Sequence, residues 1–172
     1  MMIEEGKVGK GTKIESTAII QEDCEIGENC FIGHYVVMRP GTKIGNDTMI
    51  AHHVIFEGNT KIGSGVLIHD HSQITRSSIV EDKVFIGPGV QTCNDRLMVH
   101  QRRHVKPFKE EGVIFRHGCR VATGCIILPG VEIGKNAMVG AGSLVTKSVP
   151  ENALVYGSPA RERGVVPEEM RI

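Results

Sequence analysis

Counting from Val8, an aliphatic or bulky apolar side chain returns at every sixth position: Ile14, Ile20, Ile26, Ile32, Met38, Ile44, Ile50, Phe56, Ile62, Ile68, Ile74, Val80 and Ile86. A helix repeats near 3.6 residues and a strand at 2, so this period belongs to neither alone. A six-residue unit is too small to bury its own apolar side chain, and such units must stack on one another. Four residues after each of these positions lies a small or β-branched residue: Thr12, Ala18, Cys24, Cys30, Val36, Thr42, Thr48, Val54, Thr60, Val66, Ser72, Ser78, Val84 and Val90. The pattern breaks after Thr92 and resumes at Phe115 with Val121, Ile127, Ile133, Val139 and Val145. Twenty hexads and one interruption therefore organise the chain.

Within a hexad the small residue and the next aliphatic are two apart, so both point inward on a short strand and the residue between them points out. Three strands make an eighteen-residue triangular coil, and coils stack at about 4.8 Å, so about seven give a rod of roughly 34 Å. The expected fold is an all-β parallel solenoid in one domain. Its coils occupy residues 6–92 and 113–150, with a loop insertion over 93–112 and a C-terminal extension over 151–172.

The outward residues separate three faces. The first carries Lys13, Phe31, Met49, Leu67 and Phe85, the second Ile19, Val37 and Ile55 before turning polar at Gln73 and Gln91, and the third Glu25, Lys43, Lys61 and Ile79. If the chain returns from the interruption onto the third face, Ile114 and Glu132 fall there, Arg120 and Met138 on the first, and Ile126 and Leu144 on the second. Two apolar faces beside one charged face suit a wedge in a ring, because long exposed apolar stripes mark association surfaces. A homotrimer is predicted.

The 172 residues, 40% of them hydrophobic, fit one domain, and no apolar run approaches the roughly 20 residues of a membrane helix. Residues 1–10 carry no apolar signal-peptide core, so a cytoplasmic protein without membrane partner is expected. Zero formal net charge argues against a nucleic-acid binder, which would show a basic stripe. Cys24, Cys30, Cys119 and Cys125 fall in the small inward column and read as buried small hydrophobes rather than as disulfides or zinc ligands; only Cys93 lies outside it.

The edge between the two apolar faces stacks His34, His52 and Asp70 in one file and Tyr35, His53 and His71 in the next, with His69 beside them. The file is either a polar turn satisfied by water and mutual hydrogen bonds, a lining of an intersubunit cleft or three-fold axis that touches substrate through His53, Asp70 and His71, or a metal site. No His-Glu-x-x-His helix or Cys-x-x-Cys pair supports the last, and no metal is expected.

Two stretches carry a resemblance: GAGSLVTKSVPENALVYGSPAR, residues 140–161, and VFIGPGVQTCND, residues 84–95, followed by a long loop and renewed repeats. With the hexads they resemble the hexapeptide-repeat acyltransferase family, and within it the branch that N-acetylates nucleotide-linked amino sugars. The resemblance implies a left-handed parallel β-helix, although the general preference for right-handed crossovers would favour the other hand. It further implies acetyl-CoA as cosubstrate, with Gly140, Ala141 and Gly142 offering close backbone approach and Lys147 and Arg161 lying near the phosphates. For the last two, ordinary surface charge is the competing reading.

The same resemblance gives Asn94 the catalytic position. A neutral amine is already nucleophilic toward a thioester, so the site needs orientation more than a strong base. The Asn94 carboxamide can accept an amine N–H, although it cannot remove a proton; a turn-forming Asn is the competing reading. The loop holds Asp95, Arg96, His100, Arg102, Arg103, His104 and Lys106, whose basic members suit a diphosphate, or it is a solvated arm that packs on a neighbouring subunit. Its shortness and basic run at Gln101–His104 depart from the branch pattern. His100 or His104 is a further candidate base.

A second reading within the fold is an O-acetyltransferase on a sugar or amino-acid hydroxyl, which needs a base such as His53, His71 or His117. A third is a zinc carbonic-anhydrase-like protein, which lacks support because no two His stand five apart in the repeats. A fourth is a non-catalytic scaffold.

Overall fold

A two-residue strand presents one side chain to each side, and the burial of this chain follows that alternation. The computed structural model describes residues 7–99, 101–102, 104 and 106–172. Among them, twenty two-residue strands run from Lys13–Ile14 to Leu144–Val145. The second residue of each points inward: Ile20, Ile32, Ile50, Ile68, Ile86, Ile127 and Ile133 are at most 1% exposed. The small column joins them, with Ala18, Cys24, Cys30, Val36, Val54, Cys119 and Cys125 all buried in one continuous core. All five cysteines are free.

Three parallel sheets form the faces. On face one Lys13 pairs in register with Phe31, then Met49, Leu67, Phe85, Arg120, Met138 and Leu154. On face two the ladder is Ile19, Val37, Ile55, Gln73, Gln91, Ile126 and Leu144. Face three stacks Glu25, Lys43, Lys61, Ile79, Ile114 and Glu132. The chain does return from the loop onto face three. Counted from the bridge at Val8 to that at Val149, seven coils are complete and an eighth is begun by Val149 and the strand Ala153–Gly157. The solenoid is a left-handed parallel β-helix.

The corners turn the chain sharply, and at most of them the second residue adopts positive φ. At the corner between faces one and two that position is Tyr35, His53 and His71 (φ 58 to 60) in coils where side chains line the edge, and Gly89, Gly124 and Gly142 further on. Backbone N–H groups at the corners need partners, and a side chain one coil later supplies them: Asn46 Oδ1 accepts from Glu28 N–H at 2.9 Å, and Asp82 Oδ1 from Ser64 N–H at 2.7 Å. The far end of face one is extended by the antiparallel pair Ala153–Gly157 and Ala160–Val165, the second of which becomes the edge of the sheet.

Candidate functional site

The corner between faces one and two is built of stacked rings. His53 lies parallel to His71 with centroids 4.8 Å apart, Tyr35 stacks on His53 at 4.8 Å, and His34 stacks on His52 at 5.4 Å. Much of this file is occupied by the backbone. His34 N–H donates to His52 Nδ1 at 2.8 Å, and His52 N–H donates to Asp70 Oδ1 at 3.0 Å. An acceptor Nδ1 leaves the His52 proton on Nε2 in the neutral ring. Thr17 Oγ1 meets His34 Nδ1 at 2.9 Å. Desolvation pushes the Asp70 carboxyl up, but N–H bonds from His52 and from its own backbone, with the fields of His52 and His69, outweigh it and hold the group below its ordinary value. The files line a concavity of about 510 Å³ reaching from Thr17 to His71. Among the described residues no group of three His, Cys, Asp or Glu is placed to hold a metal ion.

The loop leaves face two at the opposite corner, between faces two and three. Its base is closed by Glu111 N–H donating to the Asn94 carbonyl at 3.0 Å. The Asn94 side chain is half-buried and has no hydrogen bond among the described residues. Asp95 is committed locally: its carboxylate accepts from Leu97, Met98 and Val99 N–H at 3.0, 2.8 and 3.1 Å. Arg96 is held as well, by Glu111 Oε2 at 3.1 Å and the Pro129 carbonyl at 2.5 Å. Lys109 and Arg96 together hold the Glu111 carboxyl below its usual value. Asp95 and Arg96 also line a cavity of about 250 Å³ under the loop. His104 is exposed, while His100 and Arg103 lie outside the described residues.

The candidate residues of the segment 140–161 fall in two groups on either side of the last strand of face two, Leu144–Val145. Ala141 and Gly142 continue the corner of the rings, exposed, with Gly142 at φ +67 facing open space. A Cβ at Gly140 would come within 2.8 Å of Tyr156 Cβ, so only glycine admits the terminal strand at this approach. Lys147 and Arg161 lie together in a second place, a cavity of about 350 Å³ floored by Val145, Val149 and Val155. His117 sits on the third corner, its N–H bound to Glu81 Oε2 at 2.8 Å beside Arg116, which grips Glu132 with two nitrogens at 2.8 and 3.0 Å.

Face two thus lies between the ring corner and the loop corner, and its centre is polar. Gln91 Nε2 donates to the His71 carbonyl at 3.0 Å, and Gln73 Nε2 donates to Glu57 Oε1 at 2.5 Å. These two glutamines line a cavity of about 360 Å³ with His53, Ile55 and His71. The same strand, Gln91–Thr92, runs on through Cys93 to Asn94, and so joins the two corners at the level of the fifth coil. Thr92 is anchored inside, its Oγ1 accepting from Thr75 N–H at 2.8 Å. Glu57 carries no signal in the hexad that would place it in this region. The glutamines are visible in the repeat only as a polar break in face two.

Residues 1–90 match the family described as GMPPB C-terminal domain, just over half of the chain, and residues 110–147 match bacterial transferase hexapeptide (six repeats). A galactoside O-acetyltransferase of Lactococcus lactis is 37% identical over 82 residues, 46% of this chain and 39% of the relative. A dTDP-3-amino-3,6-dideoxy-alpha-D-galactopyranose 3-N-acetyltransferase of Aneurinibacillus thermoaerophilus is 47% identical over 53 residues, 31% of this chain and 28% of that protein. The chain thus spans well under half the length of these curated relatives. Among solved structures, a galactoside acetyltransferase in complex with coenzyme A superposes with a TM-score of 0.64 at 25% identity, covering 75% of this chain and 66% of the other. An N-acyltransferase of Bacillus cereus in complex with dTDP and coenzyme A, at 23% identity and TM-score 0.60, covers 95% and 85% and shares the fold. The six-residue period, the three in-register sheets and these two family matches agree, and the chain belongs to the hexapeptide-repeat transferase family.

Proposed function

We propose that the protein transfers the acetyl group of acetyl-CoA to the amine of a nucleotide-linked amino sugar, working in the cytoplasm as a homotrimer. The observation that carries this reading is the Asn94 carboxamide, left without a hydrogen-bond partner among the described residues where the loop departs and reached by a polar strip across an otherwise apolar face. The 47% identity to a dTDP-amino-sugar N-acetyltransferase supports the acceptor class. In this reading Asn94 Oδ1 accepts one amine N–H and aims the nitrogen lone pair at the thioester carbonyl. The N–C bond forms, the C–S bond breaks, and the proton released by nitrogen ends on the thiolate or in water. Lys147 and Arg161 meet coenzyme phosphates, the exposed Ala141 and Gly142 give the pantetheine arm close backbone approach while Gly140 seats the terminal strand behind them, and His53, Asp70 and His71 face the acceptor. Because Asp95 and Arg96 are tied into the loop, they act on the acceptor by holding the Asn94 backbone in place; Arg96 keeps exposed guanidinium surface for a diphosphate.

The test is acetylation of thymidine- and uridine-diphosphate amino sugars by acetyl-CoA, followed by free thiol release; no release across the panel overturns the reading. The likeness to a galactoside O-acetyltransferase favours a second reading, transfer to a hydroxyl. That chemistry needs a base, so His53→Ala, His71→Ala and His117→Ala distinguish the two: full activity in all three speaks against an alcohol acceptor.

A further inference from the structure

We propose that Gln73 and Gln91 are specificity-determining residues that read hydroxyl groups on the acceptor sugar. The inference rests on the acetyl-transfer reading above. Both amide orientations are dictated by partners that can only accept: the Gln73 nitrogen donates to the Glu57 carboxylate and the Gln91 nitrogen to the His71 carbonyl. Each side-chain oxygen is therefore the end turned away from its partner, and neither has a donor among the described residues. The two residues are direct neighbours in the parallel ladder. Their strands lie about 4.8 Å apart, so the two amides present their acceptors on adjacent rungs of one face.

The surroundings set this pair apart from ordinary surface. Along face two the ladder is aliphatic below, at Ile55, and above, at Ile126, so the glutamines are a polar gap in an apolar stripe. Were face two covered by a second chain, each free amide oxygen would need a hydroxyl or a water to satisfy it at this level. The cavity over it reaches His71 on one side. On the other, Asn94 follows Gln91 by three residues, roughly 10 Å of extended chain. A nucleotide-linked sugar whose amine is held at Asn94 therefore extends along face two toward the glutamines.

The experiment measures steady-state kinetics of Gln73→Met and Gln91→Met with the panel member that the unaltered protein turns over best. Methionine matches the ladder, whose neighbours Ile55 and Ile126 are already apolar. The acceptor KM is expected to rise about 3- to 10-fold in each variant, the size of one lost neutral hydrogen bond, with the acetyl-CoA KM unchanged. The preference for a hydroxylated acceptor over its deoxy analogue should fall by the same factor. An unchanged acceptor KM, or equal changes in both KM values, overturns the inference while leaving the reaction intact. If the unaltered protein acetylates no member, the reaction itself fails and this inference with it. A variant that loses its cooperative thermal melt is replaced by the corresponding Gln→Ala, read in the same way.

Discussion

At the scale of single residues, the repeat assigns burial far better than it assigns chemistry. Cys119 illustrates the first: its place in the small column predicts an inert core thiol, and burial pushes that thiol well above its ordinary range. Asp95 illustrates the second, because a loop carboxylate that looks available for substrate accepts three backbone N–H groups instead. No sequence period exists there to reveal the turn. For Asn94, replacement by Ala should lower kcat/KM about 100-fold through lost alignment of the amine, without lowering the melting temperature. Asn94→Asp keeps an oxygen acceptor and should lose less, so an Asp variant as inactive as Ala would refute the orienting role. Asp70 gives a pH prediction. Its folded value is lowered, so its stabilisation is present above the ordinary carboxylate range and is lost as pH falls through the lowered value. The melting temperature should decline below about pH 4, and Asp70→Asn should flatten that part of the decline.

At the scale of elements, each strand is two residues long and has almost no stability of its own, so the stack supplies it. Truncating one buried rung, Ile68→Ala, should cost about 2–5 kcal/mol in chemical unfolding, since Ile68 is fully buried and lined on both sides by rigid rungs. The return onto face three was legible because that register keeps the charged and apolar faces largely intact. The interior of the loop was not. Its form depends on Glu111, which binds Arg96 and Lys109 while its backbone ties Asn94 to Gly130. Arg96→Ala should therefore speed proteolytic cleavage within residues 97–109 and leave the coils intact, as read by mass spectrometry of the fragments.

At the scale of the whole molecule, faces one and two leave Ile19, Met49 and Ile126 between 44% and 55% exposed, and the proposed homotrimer would cover them. Light scattering should give about three times the 18.7 kDa chain mass, and Met49→Asp or Val37→Asp should return it toward the single chain. A monomeric mass for the unaltered protein would overturn the assembly. The in-register stack also fixes how far apart in sequence every rung lies from its neighbour. The distance is eighteen residues from Lys61 to Ile79, but thirty-five from Ile79 to Ile114, because the loop is inserted there. Closing that longer span costs about 0.6 kcal/mol more in chain entropy. The solenoid can thus grow from either side and must join at its fifth coil, so amide exchange should begin at the seam between Ile79 and Ile114 before the two stacks that flank it.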